Sequence, residues 1–156
     1  MKFSGCLYVV EDAERTKKFY KELFGVHVIQ DFGANFTMTG GLSFQTKDSW
    51  MEFIHKEAAE ITFGGNDAEI YFETEDIDAF VDVLKSHPDI IYVHPLQEHG
   101  WGQRVVRFYD PDHHIIEVGE AMDVLLKRLA KEGLCVEEIS MKTMLSEKQV
   151  QRMLKK

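Results

Sequence analysis

The fold of this chain is decided by the stretch Phe108-Tyr-Asp-Pro-Asp-His-His-Ile-Ile-Glu-Val-Gly-Glu120. A strand over residues 104–109 leads into a tight turn at Asp110-Pro111-Asp112, because proline presets φ inside a turn and aspartate bonds turn backbone. A second strand follows over residues 115–119, and Glu117 is a lone carboxylate among its apolar neighbours. Burying such a group without a partner is costly, so Glu117 is expected to face water, a cavity or a cation.

The element order β-α-β-β-β occurs twice along the chain, which predicts an α+β fold built from two modules. The first module covers residues 1–46, and its helix ends at Gly25. The second covers residues 68–119, with a helix that begins after Asp76 and strands predicted at 68–74, 90–94, 103–109 and 115–119. Asp12 and Asp76 are predicted to cap the two helices, and aligning the caps superposes the halves.

The two modules and the connector between them form one predicted domain over residues 1–119, and a tail follows it. The connector, residues 47–67, is predicted to hold a short helix capped by Asp48 or Ser49, and a strand over 50–55 is the alternative. The tail, residues 120–156, is predicted to form three short helices. Their arrangement resembles a helix-turn-helix DNA-binding unit, whereas packing of an amphipathic tail on its own body is the other possibility. The phosphate contacts of such a unit would come from basic residues of the tail: Lys142, Lys148, Arg152, Lys155 and Lys156.

The bulk composition is that of an ordinary globular protein and argues against several partners. The hydrophobic fraction is 44% and the charged fraction 29%, and no apolar run approaches the length of a membrane span. Residues 1–119 carry a net charge of −11, which repels nucleic acid and anionic membranes, and the tail carries +2. The N-terminus lacks the features of a signal peptide, and Cys6 and Cys135 are expected to be free thiols in the cytoplasm.

Three of these features together resemble the vicinal oxygen chelate superfamily, which includes glyoxalase I, bleomycin-resistance proteins and extradiol dioxygenases. They are the two βαβββ modules, the Phe19-Tyr20 and Leu23-Phe24-Gly25 motifs that close the first helix, and the Asp-Pro-Asp turn before a glutamate strand. The resemblance covers about residues 1–119. It implies a cup-like mixed sheet in which two modules enclose a small-molecule site, and it implies a homodimer.

The resemblance also implies metal-ligand positions on the first and last strand of each module. In the second module these positions fall on Glu69 and Glu117. In the first module they fall on Gly5, which has no side chain, and on Gln45, or on Glu52 if residues 50–55 form the strand. Carboxylate and amide oxygens favour Mg²⁺ or Mn²⁺, and Ni²⁺ or Zn²⁺ are further candidates.

Three functions follow from these residues. With a divalent metal, the protein would be a glyoxalase-type lyase or isomerase, in which the ion stabilises an enediolate and Glu69 or Glu117 acts as the base. Without a metal, the two carboxylates would share a proton or pair with a cationic ligand, as in a sequestering, resistance-type protein. A third possibility is a ligand-sensing regulator that uses the C-terminal helices.

Three more residues are candidates for substrate binding. Tyr71 shares a strand face with Glu69 by alternation, so it lines either the pocket or the core. Trp101 lies between two glycines in a loop, where it forms a lid or wall of the site or packs on the end of the sheet. Arg107 is expected to pair with Glu117 or Glu73, or to hold a substrate carboxylate.

Overall fold

The structure is a computed structural model that describes residues 1–155, so Lys156 of the predicted tail lies outside the described residues. By its internal contacts the chain divides into two units. The first is formed by residues 1–68 together with 110–114, and the second by residues 69–109 together with the chain from 115 onward. Each unit contains one four-stranded mixed sheet.

The first unit contains strands β1 (Cys6–Val10), β2 (Val28–Asp31), β3 (Asn35–Met38) and β4 (Leu42–Thr46), with helices α1 (Ala13–Phe24) and α2 (Lys47–Ile54). The strand order is β1-β4-β3-β2, and β1 runs parallel to β4. Asp12 caps α1 by accepting a hydrogen bond from the Arg15 amide, and Gly25 ends the helix with φ at 66°. This left-handed conformation is easiest for glycine, as the sequence predicts.

The core of the first unit is largely aromatic. Tyr20 on α1 packs against Phe44 on β4 with ring centroids 4.9 Å apart, and Phe36 on β3 stacks on Phe44 at 5.4 Å. All three rings are fully buried. The helical motif that carries Tyr20 is therefore a core element of the first module.

The second unit repeats this plan and adds the tail. Its elements are β5 (Glu69–Thr74), α3 (Ile77–Lys85), β6 (Tyr92–Glu98), β7 (Arg104–Tyr109), β8 (Ile115–Glu120), α4 (Met122–Lys131), α5 (Val136–Thr143) and α6 (Glu147–Leu154). The strand order is β5-β8-β7-β6, with β5 parallel to β8. Asp76 caps α3 by accepting from the Ala79 amide at 3.0 Å. The predicted α+β fold of two βαβββ modules is thus confirmed.

The three tail helices pack around a small apolar core. Leu125, Leu126 and Leu129 of α4 are fully buried against Ile139 of α5 and Val150 of α6. Burying side chains of this size contributes roughly 1.5–3 kcal/mol each, which offsets the entropy lost in ordering three short helices. Every helix within residues 1–155 is too short or too polar to cross a lipid bilayer.

Several predicted boundaries differ from the structure. The connector forms α2 from Lys47 with Thr46 at its N-cap, so the caps predicted at Asp48 or Ser49 are wrong, as is the alternative strand over 50–55. Glu52 is consequently helical and exposed and does not occupy a strand position. The strand predicted over 90–94 is β6, which spans Tyr92–Glu98, and its pairing with β7 shifts register twice around His94.

Candidate ligand-binding face of the second sheet

One face of the second sheet carries a continuous row of polar side chains. Tyr71 on β5 lies opposite Glu117 on β8, Glu117 lies opposite Arg107 on β7, and Arg107 lies opposite His94 on β6. Directly paired residues project to the same side of a sheet, so the row crosses all four strands on one face. We call this the polar face.

The opposite face of the same sheet is apolar and packs against α3. Ile116 and Phe108 are fully buried, and Phe108 lies 6.3 Å from the ring of Phe80 on α3. Strand alternation then directs Arg107 and Glu117, their immediate neighbours in sequence, to the polar face. The apolar pattern that buries one face therefore fixes which charged residues meet on the other.

Arg107 is the centre of the polar face. Its Nε donates to Glu69 Oε2 at 3.0 Å, and its Nη2 forms an ion pair with Glu117 Oε2. Its Nη1 faces His94 Nε2 at 3.2 Å and His99 Nε2 at 3.3 Å. Each nitrogen of the guanidinium thus already has an acceptor, and two carboxylates are held by one cation.

These contacts restrict the tautomer of both imidazoles. A guanidinium can only donate, so the Nε2 atoms of His94 and His99 must accept, and each neutral ring carries its proton on Nδ1. His94 Nδ1 lies 2.8 Å from the Pro95 carbonyl oxygen and donates to it. Burial lowers the pKa of His99, and the charge of Arg107 lowers it further. The lowered pKa favours the neutral form of the His99 ring.

A second polar chain lies beside the first. Tyr71 Oη donates to Glu73 Oε1 and accepts from Gln103 Nε2, both at 3.1 Å. Trp101 Nε1 donates to Gln103 Oε1 at 3.2 Å. Burial is the main cause of a raised pKa at the Tyr71 phenol; the Gln103 hydrogen bond opposes this, and the Glu73 charge adds to it. Tyr71 therefore retains its proton as a donor.

Gly119 makes room for this second chain. A Cβ atom at position 119 would lie 2.9 Å from Gln103 Nε2 and 3.0 Å from Tyr71 Oη. The first separation is shorter than real Cβ contacts and the second is tight, so a side chain at 119 would require the Gln103 amide or the Tyr71 phenol to shift. The absence of a side chain at 119 lets Tyr71 and Gln103 meet over the strand.

Two aromatic rings are accessible at this face. Tyr71 is 45% exposed and Trp101 is 36% exposed. The ring of His99 stacks on Trp101 with centroids 4.3 Å apart and an interplanar angle of 20°. The tryptophan is thus supported from one side and remains accessible, which suits stacking or cation–π contact with a ligand.

The structure brings five of the six predicted site residues together: Glu69, Glu117, Tyr71, Trp101 and Arg107. The sixth, Gln45, lies in the first unit and is 2% exposed. Its amide accepts from Asn35 at 3.2 Å and donates to Ser49 at 2.8 Å. The side chain is therefore already engaged inside its own unit.

By strand register, the residue of the first module that corresponds to Glu117 is Ser43 and not Gln45. Aligning the capped helices places Leu7 opposite Tyr71, and Leu7 pairs with Ser43 as Tyr71 pairs with Glu117. Gln45 then corresponds to Gly119. The first module offers a hydroxyl where the second offers a carboxylate.

We tested whether the carboxylates of the polar face suit a divalent metal. Within residues 1–155, no three His, Cys, Asp or Glu side chains are grouped as ligands of one ion. Arg107 lies between Glu69 and Glu117, where the ion would be expected. At 4 Å and an effective dielectric constant of about 20, a divalent ion beside a guanidinium would be repelled by about 8 kcal/mol. The donor set in this arrangement therefore does not fit a metal.

Comparisons with known proteins agree with this fold. The family model described as a glyoxalase-like domain matches residues 3–123. The chain belongs to the glyoxalase-like family. It is thereby also a member of the vicinal oxygen chelate superfamily, as the sequence indicates.

Solved structures resemble the chain to different degrees. A protein of unknown function from Agrobacterium tumefaciens has 36% sequence identity and a TM-score of 0.70, covering 78% of this chain and 95% of that one. A glyoxalase/bleomycin resistance protein/dioxygenase family enzyme from Burkholderia phytofirmans has 16% identity and a TM-score of 0.66, covering 76% and 98%. The second likeness shows the fold alone. Among curated proteins, none matches the chain significantly.

Three partners of the charged and aromatic groups on the polar face are not predicted from the sequence: His94, His99 and Gln103. His94 contacts Arg107 only because the edge strand β6 is irregular, and no periodic pattern signals that. Gln103 was detectable, since it directly follows the Gly-Trp-Gly loop and precedes a strand.

Proposed function

We propose that this glyoxalase-like protein binds a small organic cation with an aromatic ring on its polar face, without a metal ion. The observation that carries the proposal is the position of Arg107, whose guanidinium lies between Glu69 and Glu117. An internal cation there replaces the ion that both carboxylates would otherwise hold. The protein then acts by capturing its ligand, as a sequestering member of the family would.

The charge of the polar face supports a cationic ligand. Glu69, Glu73 and Glu117 contribute three carboxylates, and Arg107 contributes one guanidinium. An excess of negative charge therefore remains, and Glu69 and Glu73 are exposed to solvent. A protonated amine is attracted to such a surface more strongly than a neutral or anionic molecule.

The aromatic rings support a planar ligand. Tyr71 lies between Glu69 and Glu73 on one face of β5, so an amine that binds either carboxylate lies next to the phenol ring. Cation–π contacts at exposed sites contribute about 0.5–1 kcal/mol each. Trp101, backed by His99, offers a second ring for the apolar part of the ligand.

The metal-dependent lyase or isomerase predicted from the resemblance requires Glu69 and Glu117 to be free ligands. Both bind Arg107, so this function would need the guanidinium to leave first. A regulator that reads DNA with the tail would need its basic residues to be available for phosphates, yet Arg128 and Lys142 already pair with Glu120 and Glu98. Homodimer formation remains a prediction, which sedimentation equilibrium would test.

An NMR titration with two matched probes tests the proposal. Phenethylammonium carries an aromatic ring and a cation, and 2-phenylethanol has nearly the same shape without the charge. We expect the cation to bind about five- to tenfold more tightly, and to shift the Trp101 indole and Gln103 amide signals. Glu73→Gln should remove most of that preference, whereas Glu137→Gln, on the exposed side of α5, should leave it unchanged.

Measuring the metal content distinguishes ligand capture from metal-dependent catalysis. Elemental analysis of the untreated protein should find less than one divalent ion per chain, and adding EDTA should not alter the titration. Equal binding of the two probes would contradict the proposal. So would a stoichiometric metal that is lost on Glu117→Gln substitution.

A further inference from the structure

The family match ends at residue 123, yet the helices beyond it contact the loop that carries two rings of the polar face. This loop, residues 99–102, joins β6 to β7; we call it the aromatic loop. The His99 amide donates to the Gln103 carbonyl at 2.9 Å, and the Gly102 amide donates to the His99 carbonyl at 2.8 Å. The loop is thus a closed turn with His99 and Trp101 on it.

Arg128 on α4 ties this turn to the end of the sheet. Its Nη2 donates to the Gly102 carbonyl oxygen at 2.6 Å. The same guanidinium binds both oxygens of the fully buried Glu120, at 3.0 and 2.9 Å, and its Nη1 lies 3.5 Å from Glu98. One side chain of the tail therefore joins the residue before the aromatic loop, its last residue and the end of β8.

Gly102 packs closely against side chains of the tail helices α4 and α5. Its φ is 95°, and a Cβ there would lie 3.0 Å from Lys142 Cε on α5 and within 3.6 Å of Leu125 and Leu129 on α4. Lys142 also lies 3.8 Å from Glu98. Two tail helices thus press against the aromatic loop at the point where its backbone turns.

We propose that the tail helices position the aromatic loop over the polar face, with Arg128 as the positioning residue, so that the tail determines the affinity for the aromatic part of the ligand. Arg128 acts through the backbone of Gly102 and through Glu120, whose carbonyl oxygen accepts from Gln103 at 2.9 Å. Gln103 in turn holds the Trp101 indole. The effect on ligand affinity rests on the proposed function. The position of Trp101 can be measured without any ligand.

The first experiment needs no ligand. The chain contains two tryptophans, so Trp50→Phe leaves Trp101 as the sole tryptophan, whose emission can be excited selectively. In that background, Arg128→Gln and Gly102→Ala should each raise acrylamide quenching of Trp101 by about twofold, because the loop opens more often. Gly100→Ala is the control in the same loop, since a Cβ there meets no atom within 4 Å. Arg152→Gln, on the exposed side of α6, is the charge-matched control.

The second experiment measures specificity. Arg128→Gln and Gly102→Ala should weaken phenethylammonium binding by about fivefold and leave methylammonium binding unchanged, since only the former reaches Trp101. An equal loss for both probes would mean that the tail does not act on the contact with Trp101. If Arg128→Gln does not fold, Gly102→Ala still tests the proposal.

Each result is decisive. Unchanged quenching in both tail-contact variants overturns the positioning role, and so does equal loss of both probes. If the Trp50→Phe parent binds neither probe, the proposed function fails, while the quenching data still decide whether the tail positions the loop.

Discussion

Tyr20→Phe should destabilise the first unit by removing a single buried hydroxyl. Tyr20 is fully buried, and its Oη donates to Asp110 Oδ2 at 3.0 Å. Burial raises the pKa of Tyr20 well above its ordinary value, and the Asp110 charge adds to this, so the phenol stays protonated as a donor. The substitution leaves the ring and its packing in place.

The expected loss of stability follows from the hydrogen bonds that Asp110 keeps in the Tyr20→Phe variant. Its Oδ1 accepts from the amides of Asp112 and His114, each at 2.9 Å, and its Oδ2 keeps the contact with His114 Nδ1 at 2.9 Å. A hydrogen bond to a charged group contributes about 1.5–3 kcal/mol, and with one donor left on Oδ2 we expect about 2 kcal/mol. For a chain of this length, that lowers Tm by about 4–8 °C.

Urea and thermal unfolding followed by circular dichroism would measure the change. Tyr92→Phe is the control, because Tyr92 is 39% exposed and should alter stability by less than about 0.5 kcal/mol. If Tyr20→Phe also stays within about 0.5 kcal/mol of the parent, the hydrogen bond from Tyr20 to Asp110 does not stabilise the first unit.

Two further predictions concern the second unit. Burial alone would raise the pKa of Glu120, but hydrogen bonds and charge from Arg128 outweigh it and hold that pKa below its ordinary value near 4.5. The ionised form therefore stabilises the fold above about pH 4.5, and this contribution is lost as pH falls through the folded pKa. Glu120→Gln should be less stable at pH 7 and lose less stability on acidification, as urea titrations at several pH values would show; parallel pH curves would refute the assignment. Gly119→Ala should separate Tyr71 from Gln103 and shift the Gln103 amide NMR signals, with a stability loss of about 1–3 kcal/mol; unshifted amide signals would contradict the close approach.

Much of the fold could be predicted from local sequence signals. Asp12 and Asp76 cap the two module helices as predicted, because capping depends on a side chain and a backbone amide three residues away. The turn at residues 110–112 could also be predicted from neighbouring residues alone, because Asp and Pro favour a tight turn. By contrast, His114 packs edge-on against Tyr8 at 5.3 Å, a contact that no local pattern signals.

The site was predicted only in part, for a similar reason. Strand alternation correctly grouped Glu69 with Tyr71, and cross-strand pairing suggested that Arg107 meets Glu117. The pattern did not show that Arg107 would bind both carboxylates at once, because this depends on the reach of a long side chain. The choice of Gln45 rested on the resemblance, and the strand register, visible only in the structure, points to Ser43.

The turn at residues 110–114 belongs to the first unit, although the strands on either side of it belong to the second. Its side chains bind residues about a hundred positions earlier: Asp112 accepts from the Glu11 amide at 3.0 Å and from Arg15 Nη2 at 2.6 Å. During synthesis, the first module must therefore wait for the ribosome to add most of the remaining chain before these bonds close. A gene fragment ending at residue 68 would encode a module with no acceptor for the Tyr20 hydroxyl at Asp110, and such a product should be prone to proteolysis.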